Sequence, residues 1–319
     1  MSKNKILVTG GAGFIGSNIA EKLLSQGEKV VILDNLATGY RENIEALSGD
    51  VDFIEGDIND KEALKKALDG VEIVFHEAAL PAVLRSVTHP LETHEACVNG
   101  TLSLLIAARD AGVKRLIYAA SSAAYGNTLT LPKVETMEPM PASPYGGAKL
   151  MAEYYCRIFS HVYAPFETIS LRYFNVFGPR QDPSSQYSGV ISQFINAVAS
   201  GRTPVIYGDG EQTRDFTFVA NIVDANIKAS QTTKGIGEVI NVANGERVSL
   251  KHVLETVKKI LGKEDVQPEY QPTRQGDIKD SQADNTKAKE LLGYEKLVNF
   301  EDGLQRTIDW WKTSRFAQQ

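Results

Sequence analysis

Lys5-Ile6-Leu7-Val8-Thr9-Gly10-Gly11-Ala12-Gly13-Phe14-Ile15-Gly16 is the stretch on which the fold turns. A short β-branched run stops at glycines spaced G-x-x-G-x-x-G. A helical pattern follows over Ser17–Gln26, with Gly27 as its stop. A chain leaving a buried strand for a helix must turn sharply. Glycine lets its backbone amides approach a pyrophosphate there, and the helix N-terminus supplies partial positive charge. Glycines also serve tight turns for steric reasons alone, so the surroundings must discriminate. Here a strand precedes, a helix follows, and Asp34 stands 18 residues beyond Gly16 at the end of the second strand. Gly10, Gly13 and Gly16 are therefore expected to cradle a dinucleotide. A carboxylate at Asp34 accepts both ribose hydroxyls of the adenosine and repels the extra phosphate of NADP, which favours NAD. The other reading of Asp34 is an ordinary turn begun with Asn35.

Outward from this turn the same unit repeats. Val30–Leu33, Val51–Ile54, Ile73–Phe75, Leu116–Ala119 and Thr168–Leu171 read as buried strands, each followed by a turn signal or a helix. Such alternation predicts an α/β fold, a doubly wound parallel sheet of Rossmann type. Asp57 after the third strand can reach the adenine, and Ala78-Ala79 after the fourth are small enough for a cofactor to lie along the sheet edge. Alternatively, Asp57-Ile58-Asn59-Asp60 caps a helix at about Lys61–Leu68. Beyond residue 174 the pattern loosens into loops at Gly178-Pro179 and Asp182-Pro183, a helix over Val190–Ala199 and two isolated strands, Val205–Tyr207 and Val239–Val242. Leu250, Val253, Leu254, Val257, Ile260 and Leu261 follow amphipathic helical spacing.

Composition bounds the function. A chain of 319 residues, 42% hydrophobic and 23% charged, predicts about two domains and excludes a disordered tail or a small disulfide scaffold. Two cysteines, Cys97 and Cys156, without a CxxC pair, and five histidines argue against a disulfide framework or a zinc site. The net charge of −6 argues against nucleic acid as a partner while leaving a local basic pocket for a phosphorylated ligand. Ile6–Val8 is far shorter than the roughly 7–15 residues of a secretion-signal core. No stretch approaches the roughly 18 apolar residues of a membrane span, so a cytoplasmic protein is expected.

Tyr145 and Lys149 lie four residues apart at the predicted first turn of a helix, which places both on one face. A phenol with an ordinary pKa of about 10 becomes a usable base near neutrality only if positive charge lowers it, and an ammonium beside it does so. Taken alone, such a pair is usually a solvated face. Its weight comes from Ala120-Ser121-Ser122-Ala123-Ala124-Tyr125-Gly126, which places serine hydroxyls at the carboxyl end of a strand, where ligands bind in such folds.

Gly10-x-x-Gly13-x-x-Gly16, Asp34-Asn35, Ser121-Ser122-x-x-Tyr125-Gly126, Tyr145-x-x-x-Lys149 and Leu171-Arg172-Tyr173-Phe174-Asn175 together resemble the extended short-chain dehydrogenase/reductase superfamily, and within it the NAD-dependent UDP-hexose 4-epimerases. The similarity runs from Lys5 to about Trp311. It implies that Tyr145 takes the proton from the sugar 4-hydroxyl, that Ser121 hydrogen-bonds the same oxygen, and that Lys149 holds the nicotinamide ribose. It adds Phe14, Ile15, Ile58, Asn99 and Phe174 to the cofactor residues. It also assigns Ser121, Ser122, Tyr145 and Asn175 to the UDP-sugar, with Arg214, Arg274 and Asp277 around the phosphates and uridine ribose. Val190 and Tyr207 fall where a uracil pocket is expected. For the two arginines the chemistry agrees independently, since a guanidinium pairs bidentately with phosphate.

The resemblance also separates neighbouring reactions. Dehydratases of this type carry Thr-Asp-Glu where this chain has Ser121-Ser122-Ala123, and removing water needs those carboxyl groups. UDP-uronate 4-epimerases place an arginine where Asp182 stands, and an aspartate there would repel a uronate. GDP-sugar reductases use NADP, which Asp34 disfavours. The residue matching Ser281 gates the pocket beside the sugar C2 substituent, so a small serine implies that N-acetyl sugars enter; Ser281 beginning a plain loop is the alternative. Family members dimerise through a helix pair. The segments Thr101–Ala111 and Lys149–Tyr163 carry apolar residues on more than one face, so a homodimer is expected. By resemblance two domains interleave: residues 1–174 plus about 218–242 bind NAD, and about 175–217 plus 243–319 bind the UDP-sugar.

Overall fold

The computed structural model describes residues 4–81, 83–183, 189–273 and 279–318. Seven strands form one parallel sheet: β1 (Lys5–Thr9), β2 (Lys29–Asp34), β3 (Val51–Glu55), β4 (Ile73–His76), β5 (Arg115–Ser121), β6 (Glu167–Tyr173) and β7 (Val239–Val242). Their order is β7-β6-β5-β4-β1-β2-β3, so the direction of winding reverses between β1 and β4. In open sheets of this kind the crevice above that reversal, at the carboxyl ends of the strands, is where ligands bind.

Both sheet faces are covered, which is why the strands read as continuous apolar runs rather than alternating ones. Successive side chains of a strand point to opposite faces. Ile6 and Val8 accordingly join one core with Ile19, Leu23 and Ile222, whereas Leu7 joins another with Leu104, Leu116 and Ala152. The first core lies under α1 (Phe14–Ser25), whereas α2 (Lys61–Ala67), α3 (Gly100–Asp110) and α4 (Pro144–Val162) cover the second.

Beyond β6, the helices α5 (Val190–Ala199), α6 (Val219–Gln231), α7 (Leu250–Leu261) and α8 (Phe300–Thr313) pack into the first core as well. The rings of Phe177 and Phe300 meet there at 5.6 Å. Val239–Val242 is not isolated: it runs parallel to β6 and closes the sheet edge, with Ile240 opposite Leu171. Val205–Tyr207 pairs instead with Glu269–Gln271.

The first helix begins at Phe14, three residues before the sequence pattern suggests, because Gly13 already adopts the extended cap conformation. Among the described residues no helix is long and apolar enough to cross a membrane. Both cysteines are free and buried.

Candidate active site

Ends of strands place most of the site. Asp34 ends β2, Ala78-Ala79 follow β4, Ser121 ends β5, and Phe174-Asn175 follow β6, all along the carboxyl edge of the sheet. The glycine turn closes this edge at β1. Gly10 has φ of +70°, and a Cβ there would sit 2.6 Å from the Ala78 backbone nitrogen. At Gly16 a Cβ would overlap the Gly10 carbonyl. The turn therefore admits no side chain at either position, and it leads into α1, whose first turn has no side-chain cap. Uncapped N–H groups at a helix start are an anion site.

Asp34 is buried, and its two carboxylate oxygens accept from the backbone N–H groups of Ala12 at 2.9 Å and Leu36 at 2.8 Å. Each oxygen keeps a second lone pair for a ribose hydroxyl. Burial pushes its pKa up from the ordinary carboxylate value, while those two hydrogen bonds hold it down. Cradle, uncapped helix start and buried acceptor thus fit a dinucleotide.

The segment Asp57-Ile58-Asn59-Asp60 does cap the helix that follows, through Asp60 and not through Asp57. Asp57 accepts from the Asn35 amide at 2.7 Å and the Asn59 N–H at 2.8 Å. Asp182 accepts from the Tyr40 hydroxyl at 2.5 Å, and Tyr40 lies under the Arg315 guanidinium at 3.8 Å. The carboxylate is thus hydrogen-bonded to the loop after β2.

The catalytic candidates come together at β5 and α4. Ser143 caps α4, accepting from the Gly146 N–H at 3.1 Å, with Pro144 at the first helical position. That start puts Tyr145 and Lys149 one turn apart. The Tyr145 phenol is pushed well above its ordinary pKa, first by burial and then by Cys97 and Glu77; a hydrogen bond with Ser121 opposes this. Lys149 is only 4% exposed, and its ammonium lies 4.5 Å from the Tyr118 ring. Burial lowers its pKa, while Cys97 and Glu77 raise it. Ser121 also accepts from the Ala123 N–H at 3.2 Å, and Ser122 opens the short helical turn that follows.

Below these groups, His76 is fully buried between Thr9 at 2.7 Å and Thr101 at 2.9 Å. Thr101 donates to the Cys97 carbonyl, so the ring nitrogen facing Thr101 carries the proton. Burial lowers the His76 pKa to about 3, keeping it neutral.

Among the residues expected to hold the nucleotide sugar, the segments of Asn175, Arg214 and Ser281 are joined through backbone. The Asn175 carbonyl accepts from the Thr217 N–H at 3.2 Å, and Ser281 donates its N–H to the Thr213 carbonyl at 3.1 Å, next to Arg214. Val190 starts α5, and Tyr207 ends the strand Val205–Tyr207. Phe174 is buried against Tyr125, whereas Asn99 is exposed and donates to Glu95 at 2.5 Å. Phe14 and Ile15 form the first turn of α1, and Ile58 is buried after β3. Arg274 and Asp277 lie outside the described residues.

Comparison with known proteins adds the family. Residues 6–243, well over half of the chain, match the NAD-dependent epimerase/dehydratase family. The chain belongs to that family. It is 36% identical over 312 residues to a UDP-glucose 4-epimerase of Mycolicibacterium smegmatis, covering 97% of this chain and 98% of the relative. Among solved structures it is similar to the UDP-glucose 4-epimerase of Thermotoga maritima with UDP-glucose, at a TM-score of 0.92 and 39% identity, covering 97% and 99% of the two chains. It is equally similar to the UDP-N-acetylglucosamine 4-epimerase of Methanobrevibacter ruminantium M1 in complex with UDP-N-acetylmuramic acid, at 0.92 and 38%, covering 98% and 99%. Family membership makes the cofactor NAD, in line with Asp34 and the glycine cradle. The relatives are named for different sugars, so membership does not by itself choose one.

The sequence reading leaves Glu77 out of the site and names Tyr173 and Cys97 without a role there. The available signal was a lone acid, Glu77, between a buried strand and two alanines.

Proposed function

We propose that this chain is a cytoplasmic UDP-hexose 4-epimerase that takes UDP-glucose and UDP-galactose and also their N-acetyl forms. The observation that carries the reading is the meeting of Tyr145, Ser121 and Lys149 at the sheet edge that also holds the glycine cradle and Asp34. When bound, NAD supplies the acceptor and donor of hydride at sugar C4 and a positive charge beside the phenol. Tyr145 removes the proton from the 4-hydroxyl, and Ser121 hydrogen-bonds that oxygen as charge develops. Lys149 holds the nicotinamide ribose, and its positive charge one helical turn from the phenol favours the phenolate, as does the Ser121 hydrogen bond against the effect of burial. Asn175 and Arg214 hold the diphosphate, about which the keto sugar turns to expose its other face.

The N-acetyl forms are included because Ser281 is small and its backbone is fixed beside Arg214. Purified protein incubated separately with UDP-galactose, UDP-N-acetylgalactosamine and UDP-glucuronate should convert the first two and leave the third. Conversion of the glucuronate alone would overturn the reading. Ser281→Tyr should slow the N-acetyl substrate alone; equal turnover of both hexoses by the variant would remove Ser281 as the gate.

Assembly as a homodimer is part of this proposal. Met151, Tyr154, Ile158 and Val162 form an exposed apolar stripe on α4, flanked by Val83, Leu84, Val87 and Leu91, and such a stripe suits burial in a partner.

A further inference from the structure

Glu77 directly follows β4 and has no part in the chemistry above. Its N–H donates to the Thr9 carbonyl at 3.1 Å, which fixes it between the glycine turn and Ala78-Ala79. Its carboxylate accepts from the Tyr173 hydroxyl at 2.8 Å, and that hydroxyl accepts from the Asn226 amide at 2.7 Å. Three elements, β4, β6 and α6, therefore hold the carboxylate in place. Tyr173 stands opposite Ser121 in the sheet register, so the clamp lies at the end of the strand that carries the serine.

From α4, both Lys149 and Tyr145 feel the charge of Glu77. Of the other groups around it, Tyr173 titrates well above its ordinary range and His76 near 3. Burial pushes the Glu77 carboxyl up to about 7, with the Tyr173 hydrogen bond and the Lys149 charge opposing.

We propose that Glu77 is a positioning residue of the redox step: clamped by Tyr173 and Asn226, its carboxylate favours the cationic oxidised nicotinamide over the neutral reduced ring and keeps the cofactor oxidised between turnovers. The inference rests on the reading of this edge as a C4 redox centre, yet its test needs no sugar, so the two fail separately. One unit charge acting through an effective permittivity of about 20 across about 12 Å shifts such an equilibrium by a factor on the order of ten, and more at shorter range. A neutral Glu77 has no such effect. The preference therefore grows as pH rises through the range in which the carboxyl ionises.

The test is the midpoint potential of the enzyme-bound nicotinamide. The holoenzyme is equilibrated with a mediating dye pair, and the reduced ring is read by its absorbance. At pH 8, Glu77→Gln should shift the oxidised-to-reduced ratio about tenfold toward the reduced form, ~30 mV for a two-electron couple. The shift relative to the parent enzyme should shrink at pH 5.5. Tyr173→Phe weakens the clamp and should shift the ratio less, in the same direction; it carries the test if Glu77→Gln fails to fold or to retain nucleotide. A ratio unchanged at pH 8, or a shift of equal size at both pH values, overturns the proposal.

Discussion

Tyr145 in this environment is a poor base, since burial, Cys97 and Glu77 all disfavour the phenolate. The Ser121 hydrogen bond opposes this, and the positive charges of the oxidised cofactor and of Lys149 one helical turn away act in the same direction, so the proposed base is switched on by loading. Tyr145→Phe should lower kcat by about 10²–10⁴-fold, the ordinary worth of a general base, while the nucleotide stays bound; steady-state turnover and the cofactor absorbance of the purified variant check both halves. The glycine cradle is equally specific at this scale. Gly16→Ala puts a methyl group onto the Gly10 carbonyl, and backbone cannot move aside as a side chain does. It should cost about 1–3 kcal/mol in urea unfolding and abolish NAD retention.

At the scale of elements, α4 must hold its register against the sheet, because it carries the proposed base. Glu153 on α4 and Arg172 on β6 form a bidentate ion pair at 2.7–2.8 Å, both 5% exposed or less, and Arg172 also lies over the Tyr125 ring at 4.6 Å. Removing one partner strands a buried charge, so Glu153→Ala should lose about 3–5 kcal/mol by urea denaturation.

Asp215 plays the same role for the loops beside Ser281. Fully buried, it accepts from the N–H groups of Asn244, Gly245 and Ala283, and burial pushes its pKa up to about 7. The folded chain thus binds its proton more tightly than the unfolded chain does. The associated stability is fully present below about pH 4 and is lost as pH rises through 7. Asp215→Asn should flatten the fall in urea midpoint between about pH 4 and 7; an unchanged slope would contradict this. The strands that form the sheet were legible because burial on both faces leaves one unbroken apolar signal. Val239–Val242 was seen as a strand but not as a member of the sheet, since its partner, β6, lies some 70 residues away and no local pattern records that pairing. Glu77 escaped for the same reason: its meaning comes from Tyr173 and Asn226, which are brought to it only by the fold.

For the whole molecule, the apolar stripe on α4 predicts a dimer that Ile158→Glu breaks, seen as a halved mass by light scattering; a parent protein already monomeric would contradict the prediction. The proposed cofactor residues Gly10, Gly13, Gly16 and Asp34 follow a pattern that is local in the chain, so residue spacing suggests them. The proposed sugar residues Asn175, Arg214 and Ser281 are named through the resemblance, because only long-range backbone pairing joins their segments and no local pattern records it. Both sets serve one claim, that a hydride leaves C4 and returns to it without leaving the enzyme. UDP-galactose carrying deuterium at C4, incubated with the holoenzyme in ordinary water, measures this most directly. The account predicts UDP-glucose with the deuterium kept at C4 and no net reduced cofactor; loss of the label to water, or reduced nucleotide in proportion to product, would contradict it.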